Sequence, residues 1–162
     1  MTLSENIAQE AYDYNLKILE IDMRGIDGAF IGDTIYLEKS YETYKKNRVA
    51  RHELEHAYTC PINLMTAPKP LQKKFEAIAD RRSVLKLVPL DSLIEAFENG
   101  IRTADELSQA LEIDDEFLYK ALSAYDSIYG YDCKYKGYNI NFMPLRIKKE
   151  DKEKNGSKFQ GL

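Results

Sequence analysis

The chain holds two histidines, and they stand four positions apart in the run His52-Glu53-Leu54-Glu55-His56. Four residues is slightly more than one helical turn, so both imidazoles leave the same helix face and can reach one metal ion. Glu53 sits beside the first, where a carboxylate can take a proton from a metal-bound water. This is HExxH, a zinc-binding signature, and it predicts hydrolysis of a peptide bond. Zinc lowers the pKa of its water and polarises the carbonyl, while Glu53 moves the proton from water to the leaving nitrogen. The competing reading is a surface helix with two incidental histidines. Val49, Leu54 and Ala57 around the motif favour a packed helix instead.

A hydrolytic zinc site needs at least one more protein ligand and an open position for water. The chain has no third histidine, so the candidates are Cys60, Glu76, Asp80 and later acids. Cys60 lies eight residues beyond His52, roughly 12 Å along a helix, and could join only if the helix broke first. Glu76 is the preferred ligand, because a loop and a second helix can return it to the site. Asp80, one turn later on the same face, is suited to accept the free ring N–H of a histidine and fix its tautomer. The reverse assignment, with Asp80 on the metal, is the rival within the site. An oxyanion donor is also expected; the chain has 12 tyrosines, Tyr58 closest to the motif, and spacing selects none of them.

Periodicity and turn residues predict the elements that must position these groups. Residues 3–15 read as a helix, 16–23 as a strand, and 29–31 with 34–37 as a hairpin whose Gly32-Asp33 suits a type II′ turn. These strands are expected to form a small antiparallel sheet. The motif helix should run from about residue 41–43 to 59, and the ligand helix from 71 to 88, stopped by Pro89. Asp91 is expected to cap a short helix, Thr103 and Glu106 to form a capping box, and Asp114 to cap a longer helix ended by Gly130. Residues 131–135 and 138–142 read as a closing hairpin. The division expected is a metallopeptidase domain over 1–98, a helical extension with hairpin over 99–145, and a charged, disordered tail over 146–162.

Composition bounds the function. Net charge is −4, which offers no bulk basic field for nucleic acid. Two cysteines fit a reducing compartment better than a disulfide framework, and neither a secretion signal nor a spanning apolar run is visible. A cytoplasmic protein is the expectation. Residues 103–129 have helix-turn-helix length and the following hairpin could pass for a wing, but the second helix opens Asp114-Asp115-Glu116 and carries only Lys120. Packing or partner contact is preferred there over DNA binding.

Three stretches, Arg51 to Tyr58, Phe75-Glu76-Ala77-Ile78-Ala79-Asp80 and Lys86-Leu87-Val88-Pro89-Leu90, resemble the ImmA/IrrE family of metallopeptidases, especially the small forms carried by phages and integrative elements of Gram-positive bacteria. The similarity extends over most of residues 1–145. It implies a reduced zincin fold, an α+β arrangement with a small sheet packed on the HExxH helix and the ligand helix. It also implies zinc held by His52, His56 and Glu76, with Glu53 as base. The implied role is cleavage of a helix-turn-helix repressor, switching on genes of the mobile element. The alternative is a non-enzymatic anti-repressor with a structural zinc. Two positions depart from the family pattern: Glu55, where glycine is common, and Arg82-Ser83, where an aromatic residue and alanine are common.

Overall fold

Thr2 opens the first helix, α1 (Leu3–Asp13), with a full capping box: its hydroxyl accepts the Glu5 N–H, and the Glu5 carboxylate accepts the Thr2 N–H. The computed structural model describes residues 1–151. After α1 come β1 (Lys17–Ile21), β2 (Gly28–Ile31) and β3 (Thr34–Glu38). Gly32 takes φ 66° in the β2–β3 turn and Asp33 has no positive φ, as a type II′ turn requires. The sheet order is β1-β3-β2, leaving one long side of β2 unpaired among the described residues.

This sheet is mixed, not antiparallel. β1 runs parallel to the central β3, with Ile18 opposite Ile35, and only β2 is antiparallel to it. Alternation of apolar residues marks a strand but carries no information about pairing direction. The loop between β1 and β2 reverses the chain once and the hairpin reverses it again, so β3 leaves in the direction of β1. Glu38 anchors that loop by accepting the Met23 N–H at 2.6 Å.

Helix α2 (Thr43–Thr59) carries the HExxH run and packs across the sheet. Val49, Ala50 and Leu54 join Ile7, Ile35 and Leu37 in one apolar core. Helix α3 (Lys69–Leu87) packs along α2. It starts two residues earlier than the sequence suggests, because Pro70 sits in its first turn, where a missing N–H costs nothing. α4 (Leu90–Glu98) follows, with Pro89 as its N-cap and Asp91 in its first turn instead of at the cap.

α5 (Ala104–Leu111) has the expected Thr103/Glu106 capping box, and α6 (Asp115–Tyr129) the expected Asp114 cap. A second apolar core gathers Val84 and Val88 with Leu93, Leu107, Leu118 and Phe142. It crosses residue 98, so the extension is built onto the ends of α3 and α4. The Tyr125 hydroxyl donates to the Val88 carbonyl at 2.7 Å inside this core.

β4 (Cys133–Tyr135), β5 (Tyr138–Phe142) and β6 (Leu145–Lys149) form a second sheet, fully antiparallel. β6 corrects the expectation that a disordered tail begins at residue 146. Leu145 and Ile147 alternate with charged residues and pair with Phe142 and Ile140, and a short amphipathic strand is masked in sequence by the lysines around it. The rest of that expected tail, residues 152–162, lies outside the described residues. The closing element is thus a three-stranded sheet packed on α6, not a two-stranded wing. No helix among the described residues is long and apolar enough to cross a membrane.

Candidate metal centre

The helical spacing does what the sequence predicts. On α2 the rings of His52 and His56 meet edge to face with centroids 4.6 Å apart, and their Nε2 atoms are 3.0 Å apart. α3 brings Glu76 to both, Oε2 at 2.9 Å from His52 Nε2 and Oε1 at 3.2 Å from His56 Nε2. One ligand atom from each of the three lies within 4.8 Å of the other two. An ion with bonds of about 2.0–2.1 Å and tetrahedral angles places neighbouring donors about 3.3 Å apart. The spacings of 2.9, 3.0 and 3.2 Å fit that geometry with little adjustment.

Asp80 falls on the other side of His52, its Oδ1 3.1 Å from Nδ1, and it lies outside the His52, His56 and Glu76 trio. Cys60 is the C-cap of α2 and its thiol donates to the Ile62 carbonyl at 3.2 Å, outside the trio. Tyr58 also turns away, donating to Glu10 of α1 at 2.9 Å.

The electrostatics of the site favour a cation. Burial disfavours the charged form of His52, but hydrogen bonds to Asp80 and Glu76 outweigh it and raise its pKa to about 9. Hydrogen bonds from His52 and His56 hold Glu76 far below the usual carboxylate range. A divalent ion would take the place of that proton between the three side chains.

Glu53 is 9% exposed, and burial raises its pKa, partly offset by the two histidines and by a backbone hydrogen bond from Phe30 of β2. Phe30 thus faces Glu53 from the sheet side. Gly28 makes this approach possible. A Cβ there would lie 2.5 Å from Val49 Cγ1 and 3.3 Å from Glu53 Cγ, so only glycine lets β2 sit this close to α2. Gly28→Ala is expected to push β2 off the helix, lowering stability by about 1–3 kcal/mol. Thermal unfolding of the variant checks it.

Beside the trio lies a cleft of about 390 Å³. Phe30 and Ile31 of β2 form one wall and Ile62, Leu64 and Met65 of the α2–α3 loop the other, with Glu53 and His56 lining it as well. An apolar cleft ending on convergent polar groups is the usual form of a substrate site.

Glu55 of α2 and Arg82 of α3 are bonded to each other. Glu55 is fully buried. It accepts from Arg51 at 3.2 Å and from Arg82 of α3 at 2.5 Å. Arg51 also pairs with Glu10 of α1. One network therefore ties three helices together behind the motif. A glycine at 55 would leave Arg82 nothing to bind, and an aromatic residue at 82 would leave Glu55 with Arg51 alone.

No protein-family model matches this chain, and no curated protein matches it.

Asp80 gives a second test of the geometry. Asp80→Asn removes the charged acceptor on His52 Nδ1 and is expected to weaken binding of a divalent metal ion by the trio about 10–100-fold, the usual effect of such outer partners. Competition with a chromophoric chelator measures it. The signal for Gly28, by contrast, was absent from the sequence: a glycine at a strand start reads as a turn residue until the helix above it is placed.

Proposed function

We propose that this protein is a zinc-dependent endopeptidase of reduced zincin type. His52, His56 and Glu76 hold the metal, and Glu53 is the general base. The observation that carries the reading is the convergence of three ligand atoms of the right types within 4.8 Å, beside a buried carboxylate that is not one of them. Zinc held there would supply a Lewis acid for the scissile carbonyl and make a nearby water more acidic. Glu53 accepts the proton of the attacking water and delivers it to the leaving nitrogen; its raised pKa suits both steps. Asp80 keeps His52 turned with Nε2 toward the metal.

The unpaired side of β2 gives the substrate its direction. An extended peptide lying in the cleft can pair with this edge and add a strand, as β-augmentation allows. Backbone pairing orients the chain, and the walls from Ile62 to Met65 receive apolar side chains. The substrate class rests on the resemblance of the two motif helices: a helix-turn-helix repressor of a phage or integrative element, cleaved so that the element's genes are expressed.

The test is incubation of zinc-loaded protein with helix-turn-helix repressors of the mobile element that carries its gene, with fragments identified by mass spectrometry. Cleavage at a defined bond that a chelator stops supports the proposal. A repressor that loses its operator but stays intact, with or without chelator, overturns it in favour of an anti-repressor acting by contact.

A further inference from the structure

We propose that Lys120 of α6 is a positioning residue for the metal centre, acting through Asp80 to hold the ring of His52. The inference rests on the metal site proposed above. The Asp80 carboxylate is a bridge: Oδ1 lies 3.1 Å from His52 Nδ1, and Oδ2 lies 3.0 Å from Lys120 Nζ. Its side chain is 39% exposed, so a carboxylate held from one oxygen alone could rotate into water. The second anchor selects the rotamer that faces His52.

Three features make Lys120 the anchor. It is the one basic residue in α6. Its neighbours Leu118, Ala121 and Leu122 are buried in the second core, so its stem stands on a fixed helix. Of the two arginines that follow Asp80 in α3, Arg82 is taken by buried Glu55, and among the described residues Arg81 makes no ion pair with Asp80, whose cationic partner is Lys120. The support is also one-sided. His56 Nδ1 is buried with no partner, so among the described residues only His52 has an outer acceptor on its ring. Lys120 thereby joins the C-terminal helices to a metal centre built from α2 and α3, and residues 99–151 become part of the site without touching the ion.

The sign of the effect separates this role from simpler ones. An ammonium near a metal site repels a divalent cation, so by charge alone Lys120→Met would tighten zinc binding. A mere surface ion pair would leave binding unchanged. The positioning role predicts weaker binding, by about threefold to tenfold, less than the 10–100-fold typical of a residue that touches a ligand directly.

The experiment is competition of the full-length protein with a chromophoric zinc chelator, alongside thermal unfolding of the metal-free forms. Lys120→Met is expected to bind zinc more weakly, with the metal-free unfolding midpoint unchanged, and Lys120→Arg to restore affinity. Added to Asp80→Asn, Lys120→Met should cost nothing further, because both act on one bond. Affinity that is unchanged or tighter in Lys120→Met overturns the inference, as does a drop in the metal-free midpoint that Lys120→Arg does not repair. A wild-type protein that binds no zinc removes the metal site and this inference together. A wild type that binds zinc beside an equally tight Lys120→Met removes the inference alone.

Discussion

Glu53→Gln is expected to lower the rate of substrate cleavage by roughly 10²- to 10⁴-fold, the usual contribution of a positioned general base, while zinc content stays at the wild-type level. The substitution keeps size and shape. A glutamine carbonyl cannot take a proton from water. Glu53 is not one of the three groups that converge on the metal position, so the ligands are untouched. Folding should not suffer, because the wild-type carboxylate is buried and its charged form is disfavoured there. Metal analysis and a cleavage assay on the same sample check both halves. A variant that cleaves at the wild-type rate would remove Glu53 from the chemistry, and one that loses zinc would place it among the ligands.

The largest expected effect on stability is at Glu55. Glu55→Ala should destabilise the protein by about 3–5 kcal/mol, the cost of breaking a buried ion pair from one side. The side chain is fully buried and bonded to two guanidiniums. Arg51 is itself only 5% exposed and is left with Glu10 alone. The double variant Glu55→Ala/Arg82→Ala should cost less than the sum of the two single changes, because removing one partner already forfeits the bond between them. Chemical denaturation of the three variants measures this. Additive losses would mean that the Glu55–Arg82 bond contributes nothing to holding α2 against α3.

That network also shows where reading the chain residue by residue fails. Glu55 and Arg82 are 27 positions apart, and each alone looks like a poor fit to a packed motif helix. Together they satisfy each other. A compensating pair is visible only when both ends are placed, because helix periodicity identifies a face but not what the face meets. The same holds for the first sheet, where alternation marked the strands and the parallel pairing of β1 with β3 came from the path of the loops.

His52, Glu53 and His56 were legible from sequence alone, because a helix converts a spacing of four into a shared face by local geometry that no tertiary contact needs to supply. The capping boxes at Thr2 and Thr103, and the Asp114 cap, are local in the same way. Glu76 and Asp80 could be nominated from the chain, but which one faces the metal side of His52 depended on the packing of α3 along α2. Gly28 under Glu53, the bond between Glu55 and Arg82, and the reach of Lys120 to Asp80 were decided only in three dimensions. Each joins residues from separate elements, and such contacts are set by how the faces pack once the core has formed.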